Sequence, residues 1–258
     1  MYFINQLPRR TVPPVSLTLA TTVPGEPEIF ASIQGEGPSS GRPVAFVRLS
    51  RCNLACRWCD TAYTWHFEGD DRPHRSGLTY ARRPNQVTFA EEDVAARIAD
   101  LGQTRLVVTG GEPLLQARPL GAMLALLPGM TVEIETNGTI EPPALLDARI
   151  DQYNVSPKLA HSGNPAALAL LPERLAHWAA DARAQFKFVI ATSENLVEVQ
   201  SLAREYAIAP ERIWLMPEGT DSATLRARME WLVPLCLEHG YRLSDRLHIH
   251  LFGDTRGT

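Results

Sequence analysis

Arg51-Cys-Asn-Leu-Ala-Cys-Arg-Trp-Cys-Asp60 follows one residue after Val44-Ala-Phe-Val-Arg-Leu49. The second run is apolar on both faces apart from Arg48 and reads as a fully buried strand, the kind that parallel sheets use. The loop behind it carries Cys52, Cys56 and Cys59 at C-x3-C-x2-C spacing, with Trp58 just before the last cysteine. Three thiolates so close together can hold three irons of a [4Fe–4S] cluster and leave the fourth iron without a protein ligand. An open iron is a place for a substrate or cofactor to bind, whereas electron-transfer clusters take four cysteines. The only other cysteine is the distant Cys236. A structural zinc site is the rival reading; it needs four ligands, and His66 and His74 stand downstream as candidates for the fourth. A disulfide is disfavoured, because an odd group of cysteines in a cysteine-poor chain suits a reducing compartment. On the triplet alone an open cluster, zinc and chance spacing all stand.

Working outward, short β-rich runs alternate with helical ones. Strands are expected at Leu106–Thr109, Thr131–Glu135, Gln152–Val155, Phe186–Ile190, Arg212–Met216 and Leu247–Leu251. Helices are expected at Phe89–Leu101, Leu114–Leu127, Pro165–Ala184 (interrupted at Pro172), Glu194–Tyr206 and Ser222–His239. Thr64–Gln86, polar and punctuated by Gly69, Pro73 and Gly77, reads as a long loop or insertion. Such alternation predicts an α/β fold with a parallel sheet, doubly wound or barrel-like. The position of the unusual residues separates the two. The cysteine loop, Thr109-Gly-Gly-Glu-Pro113, Glu135-Thr-Asn-Gly138, Ser156-Pro-Lys158 and Met216-Pro-Glu-Gly219 each follow the C-terminal end of a predicted strand. In a (β/α) barrel those ends share one face and build the active site; a doubly wound sheet gathers them only near a switch point. A whole or partial (β/α) barrel with parallel strands is therefore expected.

The chain has 258 residues, of which 45 % are hydrophobic and 21 % charged, with a formal charge of −4 and a pI near 6.0. That composition is ordinary for a globular protein with a sizeable core and shows no nucleic-acid footprint. No apolar run is long enough to span a membrane. Arg9-Arg10 resembles the start of a twin-arginine signal, but Pro13 and Pro14 break the stretch that follows, which leaves a cytoplasmic protein as the expectation. Residues 1–24 are expected to be a loosely ordered extension and 25–258 the catalytic domain.

The glycine pair in Thr109–Pro113 permits positive φ and lets a ligand approach bare backbone. With the Glu112 carboxylate nearby, the turn suits an ammonium or amino-acid-like group. The cysteine triplet followed by a Gly-Gly-Glu turn resembles the radical S-adenosylmethionine superfamily. That resemblance implies that the open iron chelates the methionine moiety of S-adenosylmethionine, and that the reduced cluster cleaves it to a 5′-deoxyadenosyl radical able to take hydrogen from unactivated carbon. A narrower resemblance runs through Ile29-Phe-Ala-Ser-Ile-Gln-Gly-Glu-Gly37, Val44–Leu49, the triplet with Asp60-Thr61, Thr109–Pro113, Glu135–Thr139, Ser156–Lys158 and Phe252-Gly-Asp-Thr-Arg-Gly-Thr258. In this order they resemble the 7-carboxy-7-deazaguanine synthase family of queuosine biosynthesis, over roughly residues 28–258. The implied reaction is the ring contraction of 6-carboxy-5,6,7,8-tetrahydropterin to 7-carboxy-7-deazaguanine with loss of ammonia.

The resemblance carries residue roles with it. Cys52, Cys56 and Cys59 match the cluster ligands; Trp58, Asp60, Gly111, Ser156, Pro157 and Lys158 match contacts to S-adenosylmethionine. Ile33, Gln34, Gly35, Arg48, Thr109 and the C-terminal Thr258 match substrate contacts, and Thr61 matches a Mg²⁺ ligand. A guanidinium at Arg48 suits a carboxylate, and Gln34 offers donor and acceptor to an amide edge. An electron donor such as flavodoxin or ferredoxin and a homodimer are implied as well. Glu36, Glu135, Lys187 and Glu218 remain candidates. His248 and His250 would share a face of the expected last strand, with His250 a candidate for the site. Cys236, on an apolar helix, reads as a small buried hydrophobe. Two rivals remain: a glycyl-radical-enzyme activase of the same superfamily, and a non-enzymatic iron–sulfur or zinc sensor.

Overall fold

Eleven strands form one sheet in a computed structural model that describes residues 15–258. The strands are β1 (Ser16–Val23), β2 (Glu26–Pro27), β3 (Ile29–Ile33), β4 (Pro43–Leu49), β5 (Gln86–Ala90), β6 (Arg105–Gly110), β7 (Thr131–Thr136), β8 (Gln152–Val155), β9 (Ala184–Ile190), β10 (Ile213–Pro217) and β11 (Arg242–Leu243). The helices are α1 (Arg82–Asn85), α2 (Glu91–Asp100), α3 (Ala117–Ala125), α4 (Ala144–Asp147), α5 (Ala166–Ala169), α6 (Pro172–Ala180), α7 (Asn195–Glu205), α8 (Ser222–His239) and α9 (Leu247–Phe252). From β4 through β6, β7, β8, β9 and β10 to β11 every pairing is parallel. The crossovers carry helices over one face, and the apolar residues of strands and helices pack there into one core around Leu106, Leu124, Tyr153, Trp178 and Phe186. The buried-on-both-faces pattern of β4, β9 and β10 is what a covered parallel sheet requires.

The other face curls. Phe30, Arg48, Thr109, Glu135, Asn154, Lys187 and Met216, one from each of β3, β4, β6, β7, β8, β9 and β10, all line a single cavity. Seven strands of a flat sheet could not converge on one cavity, so the arc is a partial barrel, as the strand-end argument predicted. It is extended beyond β4 by antiparallel strands: β3 pairs along β4, and β1 pairs with β5 from Ser16↔Ala90 to Ala20↔Gln86.

Five expectations need correction. The helical stretch expected over Pro165–Ala184 is two short helices, α5 and α6, and Ala184 already pairs with Tyr153 in the sheet. Residues 1–14 of the expected loose extension, with Arg9-Arg10, lie outside the described residues; Ser16–Val23 are instead β1, held by full pairing to β5 and burial of Leu17, Leu19 and Ala20. The helix expected from Phe89 begins at Glu91, because Phe89 and Ala90 are needed to pair with β1. The expected helix Leu114–Leu127 opens as a 3₁₀ turn over Pro113–Gln116 and is α-helical only from Ala117 to Ala125. Leu247–Leu251 is not a strand but helix α9, stopped by Gly253 in a positive-φ conformation. The alternation Leu-His-Ile-His-Leu mimics a strand, but among the described residues no strand pairs with it. Helical geometry puts residues i and i+2 about 200° apart, so His248 and His250 do not share a face. His248 lines the cavity, whereas His250 bonds Ser222 at 2.9 Å and Asp245 at 3.1 Å.

Candidate active site

The cavity at the C-terminal ends of the strands encloses about 390 Å³, within the range of small-molecule sites. Its cysteine end is built by loop backbone. Arg51 leaves β4 at φ 80, a left-handed conformation unusual for a non-glycine residue, so that the chain reverses into the cysteine loop. Its N–H donates to Thr64 O at 2.8 Å and its carbonyl accepts from Glu112 N at 2.9 Å. The glycine turn after β6 fits against this reversal. A Cβ on Gly110 would run into the Leu49 carbonyl, and one on Gly111 into that of Arg51. The glycines therefore serve close packing of two loops as well as an open approach to ligand.

Glu112 does not do what its place beside that turn suggested. It is fully buried and does not line the cavity. Its carboxylate accepts from Leu114 N at 2.9 Å, Asn137 N at 2.7 Å and Thr136 Oγ1 at 3.0 Å. It ties the β6 loop to the β7 loop.

Cys52, Cys56 and Cys59 all face the cavity. Burial pushes the Cys52 thiol up to about 12 and the Cys56 thiol up to about 11, and burial with the neighbouring Asp60 raises Cys59 too. Thiols so disposed are inert as free groups and become ligands when a metal displaces the proton. Among the described residues no three His, Cys, Asp or Glu side chains converge on a point suited to one ion. Neither His66 nor His74, the expected fourth zinc ligands, lines the cavity with the cysteines. His66 is buried with Nδ1 unpartnered, and His74 is committed to Ser76 Oγ and the Cys59 carbonyl, both at 2.8 Å. The donor set and its cavity thus fit a three-cysteine [4Fe–4S] site.

Beside the triplet, Trp58 stacks on His161 at 5.6 Å, and Lys158 Nζ lies 5.7 Å from the Trp58 ring while donating to Ser156 Oγ at 2.7 Å. Trp58, Asp60, Thr61, Gly111, Ser156 and Lys158 all line the cavity; Pro157 is buried and does not. Pro157 is the single expected residue that does not line the cavity; it lies buried between two cavity-lining neighbours.

Much of the remaining lining is polar or charged. Ile33, Gln34, Gly35, Arg48, Thr109 and Thr258 all line the same cavity. Arg48 Nε donates to Glu28 at 2.7 Å, and Tyr63 donates to the same carboxylate at 2.9 Å; neither Nη of Arg48 has a hydrogen-bond partner among the described residues. Glu135 accepts from Thr109 Oγ1 at 2.9 Å and Gln34 Nε2 at 3.3 Å. Glu36 pairs with Lys187 and, at 3.0 Å, with Arg246 Nε. Burial alone would raise its pKa, but the charges of Lys187 and Arg246 hold Glu36 far below the usual carboxylate range. Arg246 also donates to Asp60 and to the Gly219 carbonyl. The tail carrying Thr258 is fixed by Arg256, whose guanidinium sits 3.5 Å from the Tyr63 ring and donates to Asn85 at 2.9 Å.

Sequence reasoning missed the weight of several residues here. Lys187 had a signal, a lone charge inside the apolar strand Ala184–Ile190. Glu28 and Arg246 had none, since their importance comes only from partners 20 and 210 residues away. Glu218, a candidate, faces away from the cavity and pairs with Arg75 and Arg228.

A partial barrel with three cysteines on its first loop defines the radical S-adenosylmethionine class, and the family model described as "Radical SAM superfamily" matches residues 47–162. A 7-carboxy-7-deazaguanine synthase of Pyrobaculum aerophilum is 34 % identical, with 89 % of this chain and 95 % of the relative covered. That of Halobacterium salinarum is 37 % identical, with 90 % and 91 % covered. The solved structure of QueE from Escherichia coli superposes with a TM-score of 0.61 at 26 % identity, covering 90 % of this chain and 95 % of that one. The chain belongs to the 7-carboxy-7-deazaguanine synthase family. Streptococcus suis SuiB bound to S-adenosylmethionine shares the fold alone, at TM-score 0.51 and 14 % identity over 78 % of this chain and 49 % of that one. Membership in the radical S-adenosylmethionine superfamily implies a [4Fe–4S] cluster and S-adenosylmethionine as cofactors.

Proposed function

We propose that this chain converts 6-carboxy-5,6,7,8-tetrahydropterin to 7-carboxy-7-deazaguanine with loss of ammonia, using one catalytic domain that starts at β1. The observation that carries this reading is one cavity lined both by three cysteines and a glycine turn and by a charged, hydrogen-bonding wall. Cys52, Cys56 and Cys59 would hold the cluster, and Trp58, Asp60, Gly111, Ser156 and Lys158 would border S-adenosylmethionine, with Pro157 supporting from behind. When bound, cluster and S-adenosylmethionine together supply hydrogen abstraction from unactivated carbon.

The protein's own part is orientation. Glu28 holds Arg48 by Nε, which leaves both Nη groups for the substrate carboxylate in bidentate fashion. Glu36 and Glu135, both paired with Lys187, present acceptor oxygens that suit the N–H and amino groups of a pterin ring. Gln34, Thr109, Ile33, Gly35 and the Thr258 terminus complete the rim. Thr61 offers a hard, neutral oxygen to Mg²⁺, whose remaining ligands would be water and substrate oxygens. A cytoplasmic homodimer served by flavodoxin or ferredoxin completes the reading, and light scattering and donor titration test those parts.

The test of the reaction is anaerobic incubation of the reconstituted protein with 6-carboxytetrahydropterin, S-adenosylmethionine, Mg²⁺ and dithionite, followed by mass spectrometry. A product lighter than substrate by ammonia, with S-adenosylmethionine largely recovered, is expected. Uncoupled 5′-deoxyadenosine alone would overturn the substrate, and no product from protein holding four irons would overturn the enzyme reading.

A further inference from the structure

Each of the three cysteine sulfurs faces a side-chain donor, and each donor comes from a different part of the chain. Trp65 Nε1 lies 3.3 Å from Cys59 Sγ, Asn164 Nδ2 lies 3.3 Å from Cys56 Sγ, and Asn137 Nδ2 lies 3.9 Å from Cys52 Sγ. The first two are good N–H···S geometries; the third is at the outer limit. The donors are themselves held. Asn164 Oδ1 accepts from Ala55 N at 2.9 Å, which fixes which way its amide points toward Cys56. Trp65 is buried, with its ring beside His66 and the Arg72 guanidinium 5.0 Å away.

Trp65 belongs to the segment 64–86, which reads in the sequence as an insertion without a role. That segment closes on the cysteine loop at three further points. His74 Nε2 bonds the Cys59 carbonyl at 2.8 Å, Arg75 N donates to Arg57 O at 2.8 Å, and Thr64 O accepts from Arg51 N at 2.8 Å. Both ends of the cysteine loop are thereby clamped, and the clamp delivers one neutral dipole to a sulfur.

We propose that the 64–86 segment is a redox-poising clamp, in which Trp65, together with Asn164 from the β8 loop, sets the reduction potential of the cluster by N–H···S hydrogen bonds. This rests on the reading of the triplet as a [4Fe–4S] site. A reduced cluster carries one more negative charge overall than an oxidised one, which raises the electron density on its ligating sulfurs, so an N–H aimed at sulfur stabilises the reduced form more. Hydrogen bonds to the sulfurs are among the established determinants of such potentials. Trp65 and Asn164 are positioning residues, acting through the cysteines they touch.

The experiment is potentiometric titration of reconstituted full-length protein, with the reduced cluster followed by electron paramagnetic resonance in the absence of substrate. Trp65→Phe keeps the ring and removes the N–H. At a solution potential where the wild type is half reduced, the oxidised-to-reduced ratio should rise about three- to tenfold, one hydrogen bond to a charged group being lost. Asn164→Asp keeps the acceptor for Ala55 N and replaces the donor with an oxygen, so its midpoint should move in the same direction and further. Either variant with four irons and a midpoint equal to or above wild type overturns the proposal, so loss of iron in one leaves the other to decide it. Wild-type protein that takes up no four-iron cluster overturns the site reading as well, whereas a shifted midpoint in protein inactive on the pterin would uphold the clamp and refute only the substrate.

Discussion

Glu112 is the residue whose removal tests the architecture most directly. Its carboxylate is fully buried and serves as sole acceptor for the backbone N–H groups of Leu114 and Asn137, while Thr136 Oγ1 donates to both its oxygens. Glu112→Ala leaves those two N–H groups without partners whatever the protonation of the carboxyl had been. A buried unsatisfied donor costs about 1–3 kcal/mol. Lost packing adds to two such penalties, and relief from burying an acidic group offsets part of them. The expected loss is about 3–5 kcal/mol for Glu112→Ala. Glu112→Gln keeps one acceptor oxygen and should lose about half as much. The assay is equilibrium urea unfolding of the apo protein, with m-values compared so that a changed denatured state is not mistaken for a change in stability. A Glu112→Ala loss under about 1 kcal/mol would refute the reasoning, because it would mean that the two loops do not depend on this carboxylate.

Three further outcomes are expected. Lys187→Met leaves Glu36 and Glu135 facing each other without their shared cation and should lower kcat/KM at least about a hundredfold, near 2.7 kcal/mol of lost transition-state stabilisation; steady-state product formation checks it, and a loss under fivefold sinks it. His161 is stacked on Trp58 with neither ring nitrogen partnered, and burial pulls its pKa below the ordinary 6.5. The unfolded chain therefore takes up a proton that the folded chain resists, so this group's contribution to stability falls as pH drops through about 6.5. His161→Phe should raise Tm more at pH 5.5 than at pH 8, and an equal change at both would rule that linkage out. Cys236, buried on α8 away from the cavity, should be replaceable by Ala with full iron content and a loss of about 1 kcal/mol; loss of iron would make it a ligand.

How much was legible before the fold was known follows a physical line. The periodicities of β8 and α8 end where the sequence says, because Asp221 caps α8 through Thr224 N at 2.9 Å and Gly240 closes it at φ 69. The cysteines and glycines were legible because their chemistry is written in short local spacing. What stayed hidden depends on partners. The strand β1 is uninformative until β5 arrives to pair with it, since Ser-Leu-Thr-Leu-Ala-Thr-Thr-Val reads as polar and diluted. The Glu112 carboxylate reads as a ligand contact beside a glycine turn until Asn137 and Thr136 close over it. The helix α9 reads as a strand because local alternation was the only signal available, and its Leu247 N–H is spent on Gly35 O at 2.9 Å rather than on a neighbouring strand.

That last contact explains why the charged wall can exist at all. Glu28, Glu36, Asp60 and Glu135 face Arg48, Lys187 and Arg246 across one buried space, an arrangement whose desolvation cost is large unless every charge is held in place. Arg246 reaches both Glu36 and Asp60 because α9 packs against Gly35, where the missing Cβ makes room for the His248 ring. Burial then keeps His248 below its ordinary pKa, so near neutral pH it adds a polar edge and no charge. Across the whole lining, five acidic side chains (Glu28, Glu36, Asp60, Glu135 and Asp254) stand against five basic ones (Arg48, Lys158, Lys187, Arg246 and Arg256), so no net surplus of either sign biases the cavity. Local pairing decides instead what each part of the wall can take. Glu28 occupies Nε of Arg48 and leaves the Nη groups open to an anion, while Glu36 and Glu135 share Lys187 and keep acceptor oxygens beside it.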